Sequence, residues 1–260
     1  MAGVILKSGH DLELMRPAGA IAGQVLEEVA AYIRPGLTTR EIDEFAGKRI
    51  KAHGARSAFL GYRKYPCQIC ISVNEEVVHG LAGNRRVEFG DIVSLDVGVY
   101  FNGFVGDTAR TVAVGGCGVA AQRLMDVTEQ ALHEGIAQAV AGKRVTDISR
   151  AIQQYVERNG YSVVREFVGH GVGRKVHEEP QVPNFVDPDS NQKLKAGMTI
   201  AIEPMVNSGA PEVKILKDGW TVVTVDGSLS AHFEHTVLVT DGEPEILTWP
   251  QSMPSKLKAQ

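Results

Sequence analysis

The sequence predicts an α+β protein assembled from two copies of one unit, and three observations carry that prediction. The chain aligns onto itself twice at nearly one shift, helical periodicity opens each copy, and apolar strand runs that meet acids close it. RPGLTTREIDEFAGKRIKAHGA, starting at Arg34, superimposes on AGKRVTDISRAIQQYVERNGY, starting at Ala141. Gly36 falls on Gly142, Glu41 on Asp147, Ile42 on Ile148, Ile50 on Val156 and Gly54 on Gly160, which describes a glycine turn, an amphipathic helix and a glycine after the helix in each copy. VEFGDIVSLD, ending at Asp96, matches LKAGMTIAIE, ending at Glu203. Runs of helix followed by runs of strand indicate α+β rather than alternating α/β. Two such units would join their sheets around a pseudo-twofold axis and turn acids from both toward one central cleft.

The elements follow in order from local signals. A first helix begins near Ser8, with Leu14, Ile21, Val25 and Val29 at helical spacing. The second opens on Thr38, which makes a capping-box pattern with Glu41. In LDVGVYFNGFVGDTARTVAV the Asn102-Gly103 pair marks a two-residue hairpin, because both central positions of a type I′ turn need positive φ. That turn sets Asp107 opposite Gly98, on the strand face that carries Asp96, so the two aspartates become diagonal neighbours with Cβ atoms roughly 7 Å apart. In the second copy Leu124, Val127, Ala131 and Ile136 space a helix, the repeat from Ala141 supplies the next, and strands end at Glu203 and begin at Glu234. The copies occupy about residues 8–115 and 116–245 of a single domain spanning 1–260. The stretch 249–260, with Pro250, Pro254 and two lysines, reads as an irregular tail.

Of 260 residues 43% are hydrophobic and 22% charged, enough for a substantial core and too apolar for general disorder. A net charge of −4 offers no basic stripe for phosphate backbones, so no nucleic-acid partner is expected. No apolar run approaches membrane-spanning length and the first twenty residues lack a secretory core, so no membrane partner and a cytoplasmic location are expected. Cys67, Cys70 and Cys117 are an odd number with no framework spacing, which fits a reducing compartment. Cys67 and Cys70 form a C-x-x-C pair, but no further pair follows at zinc-site spacing, and free thiols are expected.

The chemistry concentrates in five segments: SLDVG, FVGDTAR, FVGHGVGR, IAIEPM and HFEHTVLV. Asp96, Asp107, Glu203 and Glu234 each interrupt or end an apolar run that would otherwise be buried strand. A buried, unpaired carboxylate is costly, so it needs a cationic partner. No lysine or arginine lies inside the runs, which makes a metal from solution the natural one. Four carboxylates with His170 do not suit a closed structural zinc site. They suit two hard or borderline dications about 3.5–4 Å apart, whose four positive charges they balance. Gly169, Gly171 and Gly173 around His170 lack dinucleotide-loop spacing and instead let backbone and substrate approach closely. His79 and His177 share this apolar or glycine-rich context, whereas His10, His53 and His133 read as solvated.

These residues resemble one family, the type I methionyl aminopeptidases of the pita-bread fold. The resemblance runs through SVNEEVVHG around His79, LDVGVYFNGFVGDTART, FVGHGVGRKVHEEPQVPNF, AGMTIAIEPM, DGWTVVTVDGSLSAHFEHTVLVT and the N-terminal helices, nearly the whole chain. It implies a central curved antiparallel sheet flanked by helices, and removal of the initiator methionine from nascent polypeptides when the next residue is small. It implies Asp96, Asp107, His170, Glu203 and Glu234 as ligands of two divalent ions drawn from cobalt, manganese, iron or zinc. Glu203 would take a proton from the attacking water, His79 would hydrogen-bond the scissile nitrogen, and His177 would bind the carbonyl oxygen. Tyr62, Tyr65, Cys70 and Trp220 match residues around the methionine side chain. Phe59 stands where many bacterial members have cysteine and Val176 where many have phenylalanine, which implies a repacked pocket of similar volume. Asn74 and Ser230 are implied near a monovalent cation, and a monomer is the implied state, with transient ribosome docking left open.

Two other readings stand beside this one. Proline-directed aminopeptidases and prolidases share the fold, but usually carry a large extra N-terminal domain for which a helix beginning near Ser8 leaves no place. A metal-free binding homologue would have lost ligands, and none is lost here.

Overall fold

The structure, a computed structural model, describes residues 3–249, so the expected tail beyond Trp249 lies outside the described residues. Each half opens with two helices. At the start of α1 (Gly9–Tyr32) the Ser8 hydroxyl accepts from the Asp11 N–H while the Asp11 carboxylate accepts from the Ser8 N–H. The start of α2 (Thr39–Ala52) carries the expected capping box from Thr38 and Glu41. In the second half α3 (Val119–Ile136) and α4 (Val145–Arg158) take the same places. The aligned glycines adopt matching backbone, with φ of 93° at Gly36 and 94° at Gly142, 71° at Gly54 and 81° at Gly160, and 100° at Gly90 and 89° at Gly197.

The strands of the first half are β1 (Arg56–Ser57), β2 (Cys70–Val73), β3 (Glu76–Val78), β4 (Ile92–Phe101) and β5 (Phe104–Ala113). Those of the second are β6 (Ser162–Val163), β7 (Gly169–Gly171), β8 (Glu178–Val182), β9 (Thr199–Ile202), β10 (Met205–Asn207), β11 (Val213–Ile215), β12 (Val222–Thr224), β13 (Ser230–His232), β14 (Glu234–Leu238) and β15 (Glu245–Ile246). The main sheet runs β1-β4-β5-β14-β9-β7-β8, with β2 also beside β4 and β15 beside β14. Its order is mirrored about the β5–β14 seam. β4, which carries Asp96, lies one strand out on one side, and β9, which leads into Glu203, lies one strand out on the other. The duplication read from the sequence predicts this joined sheet. Two small sheets, β13-β10-β6 and β11-β12-β3, stand beside it.

Each helix pair covers its own half of one sheet face. Val25, Ile42 and Ile50 pack with Val93, Leu95 and Val97 of β4, and Leu124, Leu132, Ile148 and Ile152 pack with Ile200, Ile202 and Val237 of β9 and β14. Because side chains alternate along a strand, Asp96 and its counterparts then point away from the helices. In α3 the expected residues Leu124, Val127, Ala131 and Ile136 are all buried. The expected first helix is present as α1, with Val25 and Val29 buried and Leu14 and Ile21 half-buried, and its buried side also includes Ala18, Gly19, Ala22 and Gly23. A Cβ on Gly106 of β5 would run into the Ala18 carbonyl, so helix and strand backbones touch and only small residues fit between them. Hydropathy spacing gives such residues little weight. Among the described residues no helix is long and apolar enough to cross a membrane.

Candidate metal centre and substrate cavity

The β4–β5 register is the one its turn dictates. With φ of 50° at Asn102 and 83° at Gly103, Gly98 lies opposite Asp107 and Asp96 opposite Ala109, so both aspartates face one side. Across the seam Glu234 also lies opposite Ala109. Glu203 follows the last residue of β9 and is stopped there by Pro204. His170 occupies the middle of β7, between two glycines whose Cβ atoms would collide with the carbonyls of Ala201 in β9 and Glu179 in β8. The flanking glycines thus let two neighbouring backbones close around the histidine, as the sequence suggested for backbone approach.

Asp107, His170 and Glu234 each offer a ligand atom within 4.8 Å of the others. Glu203 joins them through Oε1, 3.4 Å from His170 Nε2, and Asp96 lines the same cavity. Asp96 Oδ1, Asp107 Oδ1 and Glu234 Oε1 are buried without a hydrogen-bond partner. Burial pushes the Asp96 carboxyl up to about 7. Burial first, then repulsion among the neighbouring acids, lifts Asp107, Glu203 and Glu234 well above the usual carboxylate range. Orphaned buried oxygens call for a partner, and this oxygen-rich set with one imidazole fits hard or borderline divalent cations. Arg110, which ends FVGDTAR, does not serve: it pairs with Glu27 of α1 at 2.6 Å, behind the sheet.

The acids sit in a cavity of ≈ 290 Å³ whose walls include every residue the sequence assigned to substrate. His79 directly follows β3 and Trp220 closely precedes β12, so the antiparallel β3–β12 pair brings their rings within 6.3 Å. Burial, then the neighbouring His177, holds the His79 pKa down to about 4. His177 stands at the exposed mouth, its ring 4.2 Å from that of His170 and its Nδ1 2.8 Å from the Tyr62 hydroxyl. The surrounding walls, then Arg63, keep its pKa below the ordinary value. Glu178 anchors that loop from behind. Its Oε2 meets Lys7 Nζ at 2.7 Å in a buried pair, and its Oε1 accepts from the Arg174 and Lys175 N–H groups.

The remaining wall is apolar. Cys70 lies opposite Asp96 in the β2–β4 ladder, and the Tyr65 and Trp220 rings meet edge to face at 5.0 Å. The Tyr65 hydroxyl donates to the Gly80 carbonyl at 2.8 Å. Phe59 lies against Gly98, where a Cβ would strike its ring, and Val176 is buried nearby. Away from the acids, the Ser230 N–H donates to the Asn74 carbonyl at 2.9 Å. All three cysteines are free thiols, as expected. His10 is exposed as expected, but His53 is half-buried against Glu28 at 3.2 Å, because the α1–α2 contact shields it.

Arg63, Phe167, Met205 and His232 also line the cavity and were not singled out by the sequence, and His232 is the one set against the acids. His232 is 2% exposed, and its Nε2 is buried without a partner, 3.8 Å from Glu203 Oε2. The available signal was its place two residues before Glu234, since residues at that spacing in a strand share a face.

Residues 13–241 match the model of metallopeptidase family M24. The chain belongs to that family. A methionine aminopeptidase of Clostridium perfringens (strain 13 / Type A) is 53% identical over 245 residues, covering 94% of this chain and 98% of that one. The crystal structure of the methionine aminopeptidase from Thermotoga maritima superimposes with a TM-score of 0.92 at 44% identity, covering 95% of this chain and 100% of that one. A prolidase from Pyrococcus furiosus superimposes with a TM-score of 0.78 at 23% identity, over 95% of this chain and 66% of that one, which speaks for the fold alone. The M24 chain described here has the pita-bread fold, and its metallopeptidase membership agrees with the donor set of the cavity.

Proposed function

We propose that this chain is a type I methionyl aminopeptidase that works in the cytoplasm as a monomer and removes the initiator methionine from nascent chains whose second residue is small. The observation that carries the reading is a cavity in which four carboxylates, three of them with an orphaned buried oxygen, face an apolar wall of Tyr65, Cys70 and Trp220. Both halves, about 8–115 and 116–245, contribute to it, so they act as one catalytic domain.

Asp96, Asp107, His170, Glu203 and Glu234 would hold two divalent ions, of cobalt, manganese, iron or zinc, which when bound acidify water and stabilise negative charge on oxygen. Glu203 accepts the proton of the attacking water and passes it on toward the leaving amine. With the Tyr62 hydroxyl as the donor across its 2.8 Å contact to Nδ1, His177 keeps the imidazole proton on Nε2, ready for the scissile carbonyl oxygen. His79, held neutral at pH 7 by its depressed pKa, hydrogen-bonds the scissile nitrogen. Phe59 and Val176 complete the apolar end, and a cavity this size takes a terminal residue rather than a peptide interior. Asn74 and Ser230 would border a monovalent cation.

The test is hydrolysis of Met-Ala-Ser by metal-reconstituted protein, with Leu-Ala-Ser and an Ala-Pro dipeptide as competitors. Rapid cleavage of the first alone is expected. Preference for the proline substrate would favour a prolidase, and no turnover with full metal loading would favour a binding homologue.

A further inference from the structure

Glu203 stands between two imidazoles, and only one of them has been given a role. Its Oε1 lies 3.4 Å from Nε2 of His170, and its Oε2 lies 3.8 Å from Nε2 of His232. The backbone on either side of the second contact is fixed. His232 pairs with Met205 in the β10–β13 ladder, its N–H donates to the Thr111 hydroxyl at 2.8 Å, and its carbonyl accepts from that hydroxyl at 3.0 Å. Its ring therefore enters the cavity from a rigid base, and its Nε2 finds no other partner. A buried polar atom left alone is costly, and the group set against it is the Glu203 carboxylate, whose ionised oxygens only accept. At 3.8 Å the two atoms do not yet share a hydrogen bond, but a small side-chain rotation closes the gap.

We propose that His232 is a positioning residue, whose Nε2–H holds Oε2 of Glu203 so that the carboxylate keeps a fixed orientation toward the ions and the attacking water. This rests on the role proposed for Glu203. Partners that orient a ligand from behind are worth about ten- to a hundredfold in metal affinity or activity.

The experiment compares wild-type protein with His232→Leu, which fills the space without a donor, and His232→Gln, which keeps a donor of similar reach. Apo protein is titrated with cobalt(II) by calorimetry, and kcat and KM for Met-Ala-Ser are measured at saturating cobalt. Expected for the leucine variant is cobalt affinity weakened about ten- to a hundredfold and a lower kcat with KM nearly unchanged, with both restored to within about threefold in the glutamine variant. Wild-type affinity and kcat in the leucine variant would overturn the proposal. So would a glutamine variant as weak as the leucine one, which makes the ring itself a ligand, or a rise in KM alone, which makes His232 a substrate contact. Should the leucine protein fail to fold, His232→Asn, polar but too short to reach, replaces it. The cobalt titration uses no substrate, so its outcome is separate from whether wild-type protein cleaves Met-Ala-Ser.

Discussion

The hairpin that carries Asp96 and Asp107 and its counterpart that carries Glu203 and Glu234 do the same job with opposite architecture. The first is continuous: two ten-residue strands joined by a two-residue turn, ten cross-strand pairs in unbroken register. The second is interrupted. Its strands β9 and β14 are four and five residues long, and between them the chain leaves to build β10 through β13. The difference teaches where the cavity comes from. The intact hairpin fixes two acids like a rigid plate, and the excursion in the other half brings Trp220, Met205 and His232 into the cavity wall.

The largest test of this comparison removes an acid from the rigid plate. Asp107→Asn leaves the strand intact but takes a charge from the centre of the cluster, and kcat for Met-Ala-Ser is expected to fall by about three orders of magnitude. Calorimetry should show cobalt binding weakened in parallel. Near-wild-type turnover would mean that the second half suffices alone, and the shared centre would be wrong.

The same contrast explains what could be read from residues. Asn102-Gly103 is a local signal, and it fixed the facing of Asp96 and Asp107 without any knowledge of tertiary structure. The matched glycines gave the duplication, and so the mirrored sheet. Nothing local pairs β3 with β12 or β2 with β4, so the roles of His79, Cys70 and Trp220 came only through family resemblance, and the meetings of His79 with Trp220 and of Cys70 with Asp96 only from the structure. His232 carries no motif of its own beyond its place two residues before Glu234, and the small-residue ridge of α1 is silent because alanine and glycine contribute little to a hydropathy pattern.

That ridge gives the next largest effect. Gly106 lies in the rigid hairpin directly against the α1 backbone, and Gly106→Val must push the helix away from the strand. Overpacking of this kind costs about 1–3 kcal/mol. A denaturant midpoint unchanged from wild type would show that the contact yields freely and that the plate is not rigid.

The acids of both halves can be weighed together by pH. In metal-free protein the Asp96 carboxyl is raised from 3.8 to about 7, and burial and repulsion lift the other three as well. Between the unfolded and folded pKa values the native state holds protons that the unfolded chain has released, so native stability falls as pH rises through that window. Chelated protein is therefore expected to melt at progressively lower temperature from pH 5 to pH 8, and metal-loaded protein to lose much less. Chelated Asp107→Asn should melt above chelated wild type at pH 8, because one repelling charge is gone. A melting temperature that climbs with pH in chelated protein would contradict the crowding of acids.

The smallest effect separates the turn of the hairpin from a loop of the interrupted half. Gly103 sits at φ 83°, a conformation that costs an L-residue about 1–2 kcal/mol, and Gly103→Ala is expected to lower stability by about that amount. Gly242, between β14 and β15, has no positive φ and open space where a Cβ would go. There alanine only restricts the unfolded chain, and Gly242→Ala should leave the protein unchanged or more stable by about 0.4–1 kcal/mol. Paired urea melts decide the matter. If the two substitutions cost the same, the backbone of the Asn102-Gly103 turn is not what holds Asp107 opposite Gly98, and the register must be kept by the strands' packing against α1 instead.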